Sequence, residues 1–169
     1  MKTLYILRHA KSSWNEPSIA DFDRPLNERG RNAAPFMGEL MALKSLRPDL
    51  IISSSAKRAM QTAVLVKESS GSNATIQYDE KIYEASPQTL SAVISQIGED
   101  IESVMIVGHN PGIEGLINHL TGKLEAMPTA ALAAVSLDIP AWSRIDANCG
   151  RLNFIIRPND EMKALGKLD

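Results

Sequence analysis

At 169 residues, with 44% apolar and 22% charged residues, the chain has the make-up of one globular domain over 1–169 with a sizeable core. Its 18 Lys and Arg against 20 Asp and Glu leave a net charge of −2, with no basic block and no aromatic-interleaved patch, so nucleic acid and anionic membrane are excluded as expected partners. The lone Cys149 cannot form an internal disulfide, and the apolar run after Lys2 is too short for a signal peptide or a membrane span; together these predict a cytoplasmic protein.

The run Thr3-Leu4-Tyr5-Ile6-Leu7 predicts a strand that is apolar on both sides, hence central, and it stops at Arg8-His9. Ala10 to Leu26 has no periodicity and is long for a loop, which marks it as functional or mobile. Asn27 caps a helix starting near Glu28, with Ala33, Ala34, Met37, Leu40, Met41 and Leu43-Lys44 along it and a kink expected at Pro35. Asp49 to Ser53 reads as a second strand. Ala56 to Glu68 reads as a helix with Ala59, Ala63, Val64 and Val66 inward. Ser69 to Asn73 is a turn cluster before a short strand, Thr75 to Tyr78. Pro87 opens a third helix carrying Leu90, Val93, Ile94 and Ile97, which Gly98 terminates.

Ser103 to Val107 is a further strand, ending in Gly108-His109-Asn110, and Ile113 to Leu120 is a short helix after it. Ala130 to Ile139 and Arg151 to Ile156 read as the strands of an edge hairpin, joined through Trp142 and Asn148-Cys149-Gly150. This alternation predicts an α/β fold: a three-layer α/β/α sandwich with a central, mostly parallel sheet. No internal repeat or linker divides it.

In such a sheet, ligands bind outside the carboxyl ends of the strands. Arg8-His9 and His109 stand at two such ends, and Arg58 lies two residues into the helix that follows a third. The set suits phosphoryl transfer, which needs positioned cations around the equatorial oxygens and an in-line nucleophile. A guanidinium offers a planar fork to two phosphate oxygens, which suits Arg8 and Arg58. The N-terminus of the helix carrying Arg58 adds a weak attraction for anions. Neutral imidazole attacks phosphorus directly, so His9 is the candidate nucleophile, and two nearby arginines would favour its neutral form. His109 is placed to donate to the phosphoryl oxygens. Lys11 and Lys57 flank this set. His119 reads as a surface or interface residue, and Cys149 as structural. Asp21 and Asp23 look like a metal pair only superficially, so no metal and no cofactor is expected.

Leu7-Arg8-His9-Ala10, Ser55-Ala56-Lys57-Arg58-Ala59-Met60-Gln61-Thr62-Ala63 and Val107-Gly108-His109-Asn110-Pro111 resemble the histidine phosphatase superfamily, which includes the cofactor-dependent phosphoglycerate mutases. Arg8-His9-Ala10-Lys11-Ser12 and Asp23-Arg24-Pro25-Leu26-Asn27-Glu28-Arg29-Gly30 look more closely like its SixA-type phosphohistidine phosphatases. The resemblance implies a phosphoglycerate mutase-like fold and a transiently phosphorylated His9. Arg8, Arg58 and His109 would hold the phosphoryl group, joined by the backbone amide of Asn110 and by Asn15. Ala10 stands where Gly is usual, and Ser54-Ser55 where Ser-Pro often precedes the second arginine. The superfamily's acid corresponds to Glu84, with Asp79 and Glu80 as lesser candidates.

The expected activity is a phosphatase acting through phosphohistidine on His9, with the phosphohistidine of a phosphorylated protein as substrate. Short connections after the second strand leave little chain for a lid, which suits a protein-borne group. A phosphatase or mutase for a small phosphorylated substrate would need Glu84 as acid. A departing imidazole needs it less, because its other ring nitrogen takes a proton from solvent. A silent phosphate-binding module would need only the cations, and so leaves His9 without a purpose.

Overall fold

The computed structural model describes residues 1–14 and 16–166. In chain order the elements are β1 (Lys2–Arg8), α1 (Glu28–Leu43), β2 (Leu50–Ser54), α2 (Lys57–Ser70), β3 (Thr75–Asp79), α3 (Pro87–Ser95), β4 (Ser103–Gly108), α4 (Gly112–Thr121), β5 (Leu132–Leu137), β6 (Gly150–Ile156) and α5 (Pro158–Ala164). The six strands form one sheet in the order β3-β2-β4-β1-β5-β6. The first four in that order are mutually parallel, while β5 runs antiparallel to both β1 and β6. The expected hairpin is therefore present, at the β6 edge.

Strand alternation divides the core in two. Leu4, Ile6, Ile52, Val104 and Ile106 face α3 and α4, packing on Leu90, Ile94, Ile113, Leu116 and Ile117. Tyr5, Leu7, Ile51, Met105 and Val107 face α1 and α2, packing on Met37, Met41, Ala59, Ala63 and Val66. β1, β2 and β4 are thus covered on both faces, which is why they read as continuous apolar runs. Truncating a fully buried side chain such as Ile106 to Ala would cost about 2–5 kcal/mol. Among the described residues, no helix is long and apolar enough to cross a membrane.

Several boundaries differ from the sequence expectation. The Asn27 carboxamide accepts from Gly30 N–H at 2.9 Å, as its capping role requires, and α1 runs on through Pro35 as one element. Val64 is 37% exposed rather than inward. Ala59, Ala63 and Val66 follow the i, i+4, i+7 spacing of one helical stripe, and at about 100° per residue Val64 falls far round from it. The turn after α2 begins only at Gly71, whose φ of 70° gives the left-handed cap, so Ser69 and Ser70 are still helical. α3 ends at Ser95, with Gln96 as its cap and Gly98 beyond it. β5 is shorter than Ala130 to Ile139, because Ala130 leaves the strand path with φ 63°. α5 was not expected, although Pro158 at its start and Asp160 and Glu161 in its first turn are ordinary start signals.

Candidate active site

Parallel pairing builds the site. β1 and β4 are in register with Leu7 opposite Val107 and Arg8 opposite Gly108, and His9 N–H donates to Gly108 O at 3.1 Å. The residues that leave these two strands, His9 and His109, therefore lie side by side with ring centroids 5.0 Å apart. On the other side of β4, Ser53 is opposite Val107, which brings the Ser54 hydroxyl within 2.8 Å of His109 Nε2. Arg58 is the second residue of α2, which starts just after β2. Arg8, His9, Arg58 and His109 thus meet at one edge of the sheet, as the sequence predicts.

A hydrogen bond to main chain fixes which ring nitrogen of His9 is available. His9 Nδ1 is 2.8 Å from Ala10 O, and a carbonyl only accepts, so the proton of the neutral ring is on Nδ1 and the Nε2 lone pair is left for chemistry. The Ser54 hydroxyl, which accepts from Ala56 N–H at 3.1 Å, still has its own proton to donate to His109 Nε2, and in that tautomer the His109 proton sits on Nδ1. Burial lowers the His9 pKa to about 3, with smaller contributions from His109, Arg58 and Arg8. His109 is lowered to about 4, again first by burial and then by Arg58. Both rings are neutral at pH 7. The arginines act in the expected direction, but exclusion of water is the larger cause.

Three buried nitrogens in this cluster have no hydrogen-bond partner among the described residues: the donors Arg8 Nε and Arg58 Nε, and His109 Nδ1. Buried polar atoms are rarely left so. Each arginine is anchored by its terminal nitrogens instead. Arg8 Nη1 donates to Met127 O at 3.1 Å. Arg58 Nη1 donates to Asp21 O at 2.7 Å, and its Nη2 to Asp21 Oδ2 at 3.1 Å. Burial lowers the pKa of Arg8, and the nearby Glu114 carboxylate opposes this.

The long loop after His9 is tied down at many points. Ala10 N–H donates to Thr62 Oγ1 and Leu26 N–H to Gln61 Oε1, both from α2, and Ser12 bridges to Leu26. Gly30 lets α1 approach closely, since a Cβ there would meet Lys11 O at 2.1 Å. Within the loop, a 3-10 turn at Asp21–Asp23 carries the Asp21 carboxylate to Arg58 and to the Tyr83 hydroxyl. The wall over Arg58 is therefore supplied by this loop, not by the chain after β2.

The other expected residues are distributed as follows. Glu84 is exposed, has φ 54°, and lines a cavity of about 660 Å³ together with Asp21, Arg58, Tyr83 and His109. Gly112 makes that placement possible, because any Cβ there would meet Ala85 O at 2.2 Å. Asp79 caps the turn after β3 through Lys81 N–H, and Glu80 is exposed within that turn. The Asn110 side chain donates to Glu114 Oε1 and Met127 O, tying the His109 loop to the chain that anchors Arg8. Asn15 lies outside the described residues. Lys57 is exposed, and Lys11 lines a separate cavity of about 630 Å³ with Arg29 and Met162. His119 is half-buried and accepts through its carbonyl from Asn148 N–H. Cys149 is half-buried against the α3–α4 side of the core.

Sequence reasoning missed Asp21, Tyr83 and Ser54 as parts of the site. Asp21 read as half of a poor metal pair; here it holds two arginines, and among the described residues no group of three or more His, Cys, Asp or Glu is arranged for a metal ion. Tyr83 meets Phe22 edge-on at 5.0 Å and His109 edge-on at 5.5 Å, forming one wall of the site.

A family model described as the histidine phosphatase superfamily, branch 1, matches residues 4–91. The fold is similar to that of a candidate phosphohistidine phosphatase, SixA, of Agrobacterium tumefaciens: 32% identity, TM-score 0.80, covering 93% of this chain and 98% of that one. An uncharacterised protein of Mycobacterium tuberculosis is 29% identical over 157 residues, covering 86% of this chain and 96% of its own length. A 2,3-bisphosphoglycerate-dependent phosphoglycerate mutase of Thermobifida fusca is 37% identical over 73 residues, 42% of this chain and 30% of that enzyme.

Proposed function

The chain belongs to branch 1 of the histidine phosphatase superfamily, and from that premise we propose that it is a phosphatase working through a phosphohistidine on His9, with protein-borne phosphohistidine as its substrate. One observation carries the reading. A neutral imidazole with a free Nε2 stands among Arg8 Nε, Arg58 Nε and, in its Nδ1–H tautomer, His109 Nδ1, three buried atoms that have no hydrogen-bond partner among the described residues. Phosphoryl oxygens would accept from all three.

In the proposed reaction His9 Nε2 attacks phosphorus as the bond to the leaving group breaks. The two guanidinium groups hold the equatorial oxygens, and the His109 proton on Nδ1 stabilises charge moving onto them. Water then attacks the phosphoryl group on His9, releasing inorganic phosphate and restoring the imidazole. If the leaving group is a histidine ring protonated on its other nitrogen, it departs as neutral imidazole and needs no acid. The cavity beside His109 supports this substrate: Tyr83, Ala85, Pro87 and Pro111 line it, and among the described residues that do so Arg58 is the only arginine or lysine. A small phosphorylated metabolite with a carboxylate of its own would want a second.

Ester hydrolysis is the second reading, favoured by the presence of Glu84 in the same cavity, held at φ 54° where a side chain is strained by about 1 kcal/mol. The two readings separate on Glu84→Gln. The variant is expected to cleave a phosphohistidine-bearing protein at a near-normal rate while losing about 10²–10⁴-fold on phosphate esters. Failure of the unmodified protein to cleave phosphohistidine, together with loss of ester cleavage in Glu84→Gln, would overturn the first reading. His9→Ala should lose turnover by about 10³-fold or more and form no phosphoenzyme; full turnover in that variant sinks the nucleophile assignment.

A further inference from the structure

Asp21 has more bonded donors than a rim carboxylate needs. Its Oδ1 accepts from Arg24 Nε at 3.0 Å and Nη2 at 2.9 Å, and its Oδ2 from Arg58 Nη2 at 3.1 Å and from the Tyr83 hydroxyl. A carboxylate offers about four lone-pair sites, so this one is fully used. The partners are themselves braced. Arg24 is buried, donates to Ser12 Oγ and Ser13 O, and stacks on Trp14 at 3.4 Å. Tyr83 is held between Phe22 and His109. Tyr83 and the arginines hold the Asp21 pKa down at about 2, and the same bond pushes Tyr83 up to about 12, so neither changes charge at working pH.

Every Asp21 bond to Arg58 falls on the terminal nitrogens. The inner nitrogen, Nε, is the buried donor with no partner among the described residues. A free arginine side chain carries about 2 kcal/mol of rotamer entropy, and a planar fork fixed at one end is aimed at the other. We propose that Asp21, braced by Tyr83 and Arg24, is a positioning residue that turns the Nε edge of Arg58 toward the phosphoryl group. The proposal rests on the phosphate-pocket reading above. An ion pair that merely decorated the rim would contribute about 0–1 kcal/mol to stability and nothing to rate.

The test uses the intact chain, phosphoramidate turnover, and binding of orthovanadate, a phosphoryl mimic that needs no leaving group. Asp21→Asn should lower kcat by about ten- to hundredfold and weaken orthovanadate by a similar factor, as for loss of a charge-assisted hydrogen bond, with a smaller change in KM. Tyr83→Phe, which removes one hydroxyl from a partly exposed ring, should lose about three- to tenfold in kcat, and it carries the test if Asp21→Asn does not fold. In an Arg58→Ala background, Asp21→Asn should change kcat by no more than about twofold, because its effect runs through Arg58. The proposal is overturned if Asp21→Asn and Tyr83→Phe leave kcat and orthovanadate affinity unchanged, or if Asp21→Asn costs the same factor without Arg58. If Arg58→Ala itself leaves both unchanged, the pocket reading fails instead, and the two failures are told apart.

Discussion

Arg8 and Arg58 flank the same histidine pair, but the protein holds them by different means. Arg8 ends β1, and its side is secured by main chain: Met127 O takes Nη1, Arg8 N–H donates to Ala131 O, and the Ala130 N–H is shared between Arg8 O at 3.1 Å and His9 O at 3.0 Å. Arg58 stands in the first turn of a helix, and its outer nitrogens are held by Asp21, 37 residues away, which is in turn held by Tyr83 and Arg24. A main-chain anchor does not depend on which side chain the anchoring residue carries, provided the backbone keeps its path. A side-chain anchor can be removed by one substitution. The two flanks should therefore tolerate change differently even where their roles in the chemistry are equal.

The largest effects test that equality. Arg8→Ala and Arg58→Ala should each cost about 10²–10³-fold in turnover, the usual loss for removing one donor aimed at developing charge. Steady-state rates on phosphoramidate or a phosphohistidine protein give the numbers. If one variant keeps its rate, the pocket is one-sided and the comparison between the flanks breaks.

A smaller effect probes the main-chain anchor alone. Ala130 is buried with φ 63°, a conformation that costs a non-glycine residue about 1–2 kcal/mol. Ala130→Gly removes that strain and should hold or raise stability by up to about 1 kcal/mol with turnover unchanged, since glycine's greater loss of chain entropy offsets part of the gain. Ala130→Val adds branching where neither the backbone nor the core accepts it, and should destabilise by about 1–3 kcal/mol. Thermal unfolding alongside rates decides. A Gly variant that lost turnover would show that the Arg8 side depends on more than backbone path.

The asymmetry also explains what the sequence made legible. β1, β4 and the α3–α4 layer were visible because continuous apolar runs and helical spacing are local signals. The convergence of His9, His109, Arg8 and Arg58 followed because strand ends in a parallel sheet share an edge. Asp21 and Tyr83 were not legible: they lie 62 residues apart and meet through a loop without periodicity. The one local hint was Asp21 three residues before Arg24, a spacing found in many unrelated turns. Val64 shows the complementary failure, in which composition suggested an inward residue and helical phase put it outward. α5 had its start signals in plain view at Pro158, Asp160 and Glu161.

The smallest predicted effect ranks the two arginines by their field on the histidines. The ordinary histidine pKa of 6.5 falls to about 3 at His9 and about 4 at His109, mainly through burial. Above pH 6.5 both rings are neutral in folded and unfolded chains alike. As pH falls below that value the unfolded chain binds protons that the folded chain refuses, so stability falls with pH. That loss accumulates down to about pH 4 for His109 and about pH 3 for His9, below which the folded rings charge as well. At both rings Arg58 depresses the pKa more than Arg8 does. Arg58→Gln should therefore raise both ring pKa values and flatten the acid slope of stability, and Arg8→Gln should do so to a lesser degree. Because burial is the larger cause, neither variant should return a ring to 6.5. Ring-proton NMR titration gives the pKa values, and unfolding midpoints from pH 7 to 4 give the slope. If Arg8→Gln moved the rings further than Arg58→Gln, the greater electrostatic weight would lie on the main-chain-anchored side, and the order of the flanks would reverse.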